Sequence, residues 1–215
     1  MQGFFFNNFE NSFLPEILKE IYRDKVYDRF FDGKKDLTVV DVGCNIGLFT
    51  YYAYPFAKKI YAIEPSTEHV EVLNKMLSFN GMKDKVEVVQ KAIFHKDESM
   101  VFYHNKNTTM YSLNKSVADN SLSTEVVDAV RMDTFFTRHG IDTVDFLKLD
   151  IEGAEMEVVG GEGFQNVVNK IKAMTVEYHS WTARNPSQLV MTLGDYGFEV
   201  FPIKTDAALF GAIRK

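Results

Sequence analysis

The stretch VVDVGCNIGLF, Val39 to Phe49, carries a β-branched run into an aspartate and then sets two glycines four residues apart, just ahead of a helical pattern. A strand that hands over to a helix through glycines leaves room for something to lie against the turn. In a doubly wound sheet that place is outside the carboxyl ends of the strands, where ligands bind. The nicotinamide and flavin fingerprint G-x-G-x-x-G uses its glycines to bring backbone N–H groups up to a pyrophosphate at the helix N-terminus. Here the spacing is D-x-G-x-x-x-G, and Asp41 stands where a pyrophosphate would be repelled. A carboxylate in that position suits a ligand presenting a cationic amine, a sulfonium or hydroxyls.

Outward from this turn the chain alternates between strand and helix patterns. LTVVDV reads as a buried strand, IGLFTYYAYPF as a helix stopped near Pro55, and KIYAIE as a second strand. Ser66 caps the next helix, whose apolar positions Val70, Leu73 and Leu77 run to the stop signal Asn80-Gly81, and KVEVVQKAI is a third strand. Upstream, Leu14, Ile17, Leu18, Ile21, Tyr22, Val26 and Phe30 recur at helical spacing and predict one amphipathic helix over about 13–31, ended by Asp32-Gly33. Downstream, ESMVFYHN and STEVVDAVRM are short strands flanking a polar, aperiodic segment that reads as a long loop from Asn105 to Thr124. Alternation then resumes with VDFLKLD, GAEMEVV, KAMTVEYH and NPSQLVMTLGDYG. FEVFPI and AALFGAIRK close the chain as a hairpin, which predicts an antiparallel final strand. The expected fold is α/β: a Rossmann-like, mostly parallel seven-stranded sheet with helices on both faces. It is one domain over 1–215, with an N-terminal helical segment (1–35) and a core (36–215).

Composition narrows the partners. The chain has 215 residues, 46% of them hydrophobic, and a net charge of −6, which suits one sizeable core and argues against wrapping nucleic acid, whose phosphates need clustered Lys and Arg. One cysteine, Cys44, excludes an intrachain disulfide framework and fits a reducing cytoplasm. The apolar start MQGFFFNNFE lacks a basic region, a long apolar core and a cleavage site, so neither signal peptide nor membrane anchor is expected.

The second strand ends on Glu64, seventeen residues beyond Gly47, where an acidic residue accepts hydrogen bonds from both hydroxyls of an adenosine ribose. A ligand with a ribose, no diphosphate and a cationic amino-acid end is S-adenosylmethionine. The glycine turn, Glu64 and the terminal hairpin together resemble the class I S-adenosylmethionine-dependent methyltransferases. VDFLKLDIEGAEMEVVGG, Val144 to Gly161, narrows the resemblance further. Its K-x-D-x-E-G-x-E run, with DVGCNIGLFT upstream and VEYH downstream, is similar to the FkbM family of methyltransferases from about Thr38 to His179. That resemblance implies methylation of hydroxyl oxygens on small molecules such as polyketides, or on sugars.

On this reading Asp41, Gly43, Asn45, Gly47, Glu64, Ala92 and Asp150 bind the cofactor. Ala92 lies under the adenine edge, with Lys91 or Ile93 on a face. Methyl transfer is an in-line displacement, and a hydroxyl acceptor also needs a base or a metal for its proton. Asp150, Glu177 and His179 fall at strand ends on one rim, resembling the carboxylate-rich rim where catechol-type O-methyltransferases hold magnesium. They are the candidate catalytic residues and, as a set, the candidate ligands of a divalent ion such as Mg. His179 is an alternative base, since its ordinary pKa lies near neutrality. Glu152 and Glu155 are either site residues or helix N-terminal charges. Ser112, in the polar loop, is a candidate contact, while His69, His95, His104, His139 and the cluster Tyr51, Tyr52 and Tyr54 are taken as packing. An amine or protein side chain as acceptor, a silent cofactor-binding subunit, and a homodimer through the apolar first helix all stay open.

Overall fold

A computed structural model describes residues 14–105, 111–113, 121–179, 185–204 and 208–215. Among the described residues a seven-stranded sheet runs β3-β2-β1-β7-β8-β10-β9. Its strands are β1 (Leu37–Val42), β2 (Ala57–Ile63), β3 (Val86–Val89), β7 (Phe146–Leu149), β8 (Ala173–Glu177), β9 (Phe198–Lys204) and β10 (Leu209–Arg214). β10 pairs antiparallel with both β8 and β9, so it alone runs against the rest, as the hairpin pattern predicts. β1 and β7 are central and almost wholly buried, which is why both read as near-continuous apolar runs. Asp41 lies beside Lys148 in the β1–β7 register. The chain winds from β1 outward through β2 to β3, then crosses to β7 on the other side of β1. That reversal opens a crevice above the carboxyl ends of β1 and β7.

Helices α3 (Leu48–Ala53), α4 (Thr67–Phe79), α5 (Met132–Arg138), α6 (Glu155–Val159), α7 (Glu162–Gln165) and α8 (Pro186–Asp195) connect the strands. Ser66 caps α4 as expected, its side chain accepting from the His69 N–H. One apolar core spreads over one face of the sheet through Phe135, Phe136, Phe164 and Leu193. A second gathers Phe30, Phe31, Phe49 and Phe146 on the other. Tyr52 packs in that second cluster, against Phe31 and Phe56, so its role is packing.

Three expectations change. The single helix over 13–31 is instead α1 (Leu14–Leu18), a π-helical turn (Lys19–Arg23), a break and α2 (Asp28–Phe31). Lys25 at the break takes φ 55°. Tertiary packing overrides the helical period: Phe31 seats its ring 4.9 Å from that of Phe146, while Leu14 and Ile21 face the crevice. The third strand stops at Val89. The chain then turns, with the Lys91 N–H bonded to the Val89 carbonyl, and β4 (Ala92–Ile93) joins a separate sheet ordered β4-β6-β5. Finally, the polar loop is shorter than expected, because β6 (Ser121–Val130) begins inside it and pairs antiparallel with β5 (Glu98–Asn105). Residues 106–110 and 114–120 of that loop lie outside the described residues.

Candidate active site

The crevice is a cavity of about 260 Å³, and its walls come from five regions of chain. The turn after β1 supplies Gly43, Cys44 and Asn45, the end of β2 supplies Glu64, and the start of the small sheet supplies Lys91 and Ala92. Asp150 and Glu152 follow β7, and Glu177 ends β8. Glu16, Ile17 and Glu20 from the N-terminal segment, with Phe102, Tyr111 and Leu113, also line it.

Glu64 organises one side of the cavity. Its carboxylate accepts the Asn45 N–H at 3.0 Å and the Ser66 N–H at 3.0 Å, and it meets His69 Nδ1 at 3.3 Å. One acidic side chain therefore ties the glycine turn to the start of α4. Asn45 sits at φ 51°, a left-handed position that Asn tolerates, and its side-chain oxygen takes the Ile46 N–H at 2.7 Å. Next to Glu64 the His69 ring is 1% exposed and stacks on Tyr111 at 4.7 Å. Ser112 anchors that overlying segment by donating its hydroxyl to the Glu152 carbonyl at 2.6 Å, and it pairs with Tyr103 through the backbone.

The other side is an acidic cluster around two buried cations. Lys148 Nζ lies 2.8 Å from Asp150 and 3.5 Å from the Gly43 carbonyl. Burial works against the ammonium, but Asp150 and Asp41 hold it charged well above its usual range. Burial also pushes Asp150 upward, and the nearby Lys148 and His179 charges more than offset it, so Asp150 stays an anion. His179 Nδ1 bonds Glu155 at 2.8 Å, while Nε2 lies 3.4 Å from Glu152 and 3.9 Å from Asp150. Burial disfavours its proton, yet Glu155, Glu152 and Asp150 raise its pKa to about 10. Among the described residues Glu177 has no such cation in contact. Desolvation and the Asp150 charge lift it to about 8. Burial carries Glu152 well above the carboxylate range.

The sequence-derived residues fall into three groups. Gly43, Asn45, Glu64, Ala92, Asp150 and Glu177 line the cavity together. Asp41 and Gly47 stand behind its wall. Asp41 is fully buried, accepts the Thr50 hydroxyl at 2.6 Å, and is raised to about 6 by burial. It acts on the cavity through the field it sets up with Lys148. Gly47, at φ 90°, keeps the turn tight against α4, where a Cβ would lie 2.4 Å from Leu73 Cδ1. The pattern implied that Gly43 brings the backbone close to a ligand; the close approach seen is to the chain after β7, where a Cβ would lie 1.8 Å from the Asp150 carbonyl oxygen. His179 is not among the residues lining the cavity: Glu155, Glu152 and Asp150 surround its ring and favour the protonated form. The metal-ligating trio also changes, because the donor atoms that converge within 4.8 Å are those of Asp150, Glu152 and His179. Glu177 takes no part in that group. Beyond Glu177 the chain has left β8, so simple strand alternation no longer puts Glu177 and His179 on one side.

Lys148 and His69 were missed as site residues. Lys148 was legible in principle: a lone charge inside the apolar strand FLKL, two residues from Asp150, must face a partner. His69 carried no signal beyond its position in the first turn after Glu64.

With this geometry in view, comparison with known proteins gives a consistent answer. The family model described as the methyltransferase FkbM domain matches residues 41–200. The chain belongs to the FkbM methyltransferase family. Among curated relatives, the methyltransferase sdnD of Sordaria araneosa is 28% identical, the match covering 86% of this chain and 82% of that protein. Methyltransferase 1 of Beauveria bassiana is 33% identical, over 67% of this chain and 66% of its own length. Among solved structures, a putative methyltransferase from Streptococcus mutans, in complex with SAH, superposes with a TM-score of 0.54 at 10% identity, covering 87% of this chain and 94% of that one. A SAM-dependent methyltransferase from Aquifex aeolicus gives 0.51 at 17% identity, covering 91% and 90%. These two show the shared fold. This FkbM protein is an S-adenosylmethionine-dependent methyltransferase, and S-adenosylmethionine is its cofactor. The residues fit it: Glu64 offers acceptor oxygens on the wall, and Asp150, with Asp41 behind, sets a negative field suited to a sulfonium. Among the described residues no helix is long and apolar enough to cross a membrane.

Proposed function

We propose that this FkbM methyltransferase acts on a hydroxyl oxygen of a small molecule or glycan, with Glu177 as the general base. The observation that carries this reading is Glu177 itself, a cavity-lining carboxylate with a pKa pushed up to about 8. A hydroxyl must lose its proton as its oxygen attacks, and a base is most effective when its pKa lies near the working pH. An ordinary carboxylate is too weak for that task, and the carboxylates around His179 favour its protonated form. Bound S-adenosylmethionine supplies an electrophilic methyl on a sulfonium, whose positive charge draws Glu177 down toward neutrality and so favours the deprotonated base. Asn45 and Glu64 fix the cofactor end, and Ile17, Ile21 and Tyr27 give the acceptor an apolar wall under the N-terminal segment. Holding the oxygen in line with the methyl supplies much of the remaining acceleration.

A second reading has one observation in its favour. Asp150, Glu152 and His179 present two carboxylates and an imidazole to one point, with His179 Nδ1 bonded to Glu155 as a metal-bound histidine commonly is. A divalent ion there would lower the pKa of a coordinated hydroxyl, and it would have to displace the Nε2 proton. The test combines methyl-labelled S-adenosylmethionine, a panel of polyols, phenols, sugars and amines, and chelator with added Mg or Mn. Label on oxygen supports the proposal; label on nitrogen alone overturns it. Turnover that is lost on chelation and restored by one ion favours the second reading over Glu177.

A further inference from the structure

Tyr27 stands at the start of α2 and lines the cavity together with Lys148, Asp150 and Glu177. Its ring is clamped, with the centroid 4.6 Å from that of Phe49 and 6.3 Å, edge-on, from that of Phe146. Strand alternation puts Lys148 on the same face of the sheet as Phe146, and the pairing of Lys148 with Thr175 brings Glu177, two residues further along β8, to that face as well. The residue is only 5% exposed. Its hydroxyl makes no hydrogen bond among the described residues, and it is not one of the buried side-chain atoms there that are both sealed and unpartnered, so it opens on the cavity. Burial, opposed by the Lys148 charge and reinforced by those of Glu177, Asp150 and Asp41, holds the phenol protonated well above its usual range. A rigid, almost buried O–H donor with no protein acceptor is therefore turned toward whatever fills the cavity. Tyr27 also lies outside residues 41–200, the span of the FkbM domain match, which favours the acceptor over the cofactor that methyltransferases share.

We propose that Tyr27 is an acceptor-contacting residue that donates a hydrogen bond to the attacking atom and so selects oxygen over nitrogen. A hydroxyl oxygen has two lone pairs: one can take the Tyr27 proton while the other stays aimed at the methyl carbon. A neutral amine has a single lone pair, and a donor that occupies it blocks the attack. The same contact thus orients an alcohol and obstructs an amine. In the transfer itself the oxygen–methyl bond forms as the methyl–sulfur bond breaks, the hydroxyl proton leaves to the base, and Tyr27 keeps its own. The inference rests on the hydroxyl-acceptor reading.

The test uses the full chain, methyl-labelled S-adenosylmethionine and matched pairs of acceptors: phenol with aniline, cyclohexanol with cyclohexylamine, and methyl glucoside with its amino-deoxy counterpart. Wild type is compared with Tyr27→Phe, which keeps the packed ring. For oxygen acceptors kcat/KM should fall about tenfold in Tyr27→Phe, while the matching amine is labelled as fast as before or faster. Affinity for S-adenosylhomocysteine by calorimetry and the unfolding midpoint should not change. Equal losses for oxygen and nitrogen, or no loss for oxygen, overturn the proposal. So does weaker binding of S-adenosylhomocysteine, which would put the hydroxyl on the cofactor, or a marked drop in stability, which would give it a partner within the protein. Should wild type label oxygen alone, Tyr27→Phe must gain label on an amine for the proposal to stand. Wild type that labels nitrogen alone, or no oxygen at all, instead overturns the hydroxyl reading itself, and this inference with it.

Discussion

Both ends of the cavity hold a buried histidine bonded through Nδ1 to a glutamate, and the two pairs do different work. At the nucleoside end His69 meets Glu64, and its Nε2 faces no protein group among the described residues. At the transfer end His179 meets Glu155, and its Nε2 faces Asp150 and Glu152. The same side-chain pair thus leaves a buried ring nitrogen without a partner in one place and a cation caged by carboxylates in the other. What differs is the charge around Nε2. A histidine near the rim is therefore no guide to which residue is the base, and the proposal gives that role to Glu177, a carboxylate with no contacting cation among the described residues.

The sharpest way to break this comparison is Glu177→Gln. It should lower kcat by about 10²- to 10⁴-fold with little change in cofactor affinity, and it should abolish the rise with pH through about 8 of wild-type kcat/KM for the cofactor. A variant that keeps that rise would return the base to some other group. Next in size is Gly43→Ala at the seam between the two ends. Its Cβ would run into the Asp150 carbonyl, and the residue would be held at φ 76°, so roughly 3 kcal/mol of stability should be lost in denaturant unfolding. Glu64→Gln keeps the size of the nucleoside-end acid but removes its charge and one acceptor. Cofactor affinity by calorimetry should fall about 10- to 100-fold, while Glu155→Gln, its counterpart at the transfer end, should leave that affinity nearly unchanged.

A last test concerns the caged cation. Because the His179 pKa is raised from 6.5 to about 10 on folding, its contribution to stability is fully present below about 6.5 and is lost as pH rises through about 10. The gap in unfolding midpoint between wild type and His179→Gln should therefore be widest near pH 6 and close near pH 10. A gap independent of pH would mean that the ring serves only as packing.

Much of this was legible from local pattern. VVDVGCNIGLF announced strand, tight turn and helix, KIYAIEP placed an acid at the end of the next strand, and the last two strands announced their own hairpin. The N-terminal helix and the third strand were misread for one reason. In both, local periodicity continued past the point where long-range packing claimed the residues: Phe31 for the aromatic cluster around Phe146, and Ala92 and Ile93 for β6.

By itself, then, the sequence determined the order of strands and helices along the chain and the nature of the cofactor. These depend on residues near one another in the chain and on the alternation of buried and exposed positions. Only the tertiary structure decided which ionisable groups are free to act. Lys148, Asp150, Glu152, Glu155, Glu177 and His179 are drawn from the strand ends of β7 and β8 and the start of α6, and the charge each carries depends on which others it meets in a place that water scarcely reaches. Spacing along the chain sets which residues reach the rim. Distances across it set which one takes the proton.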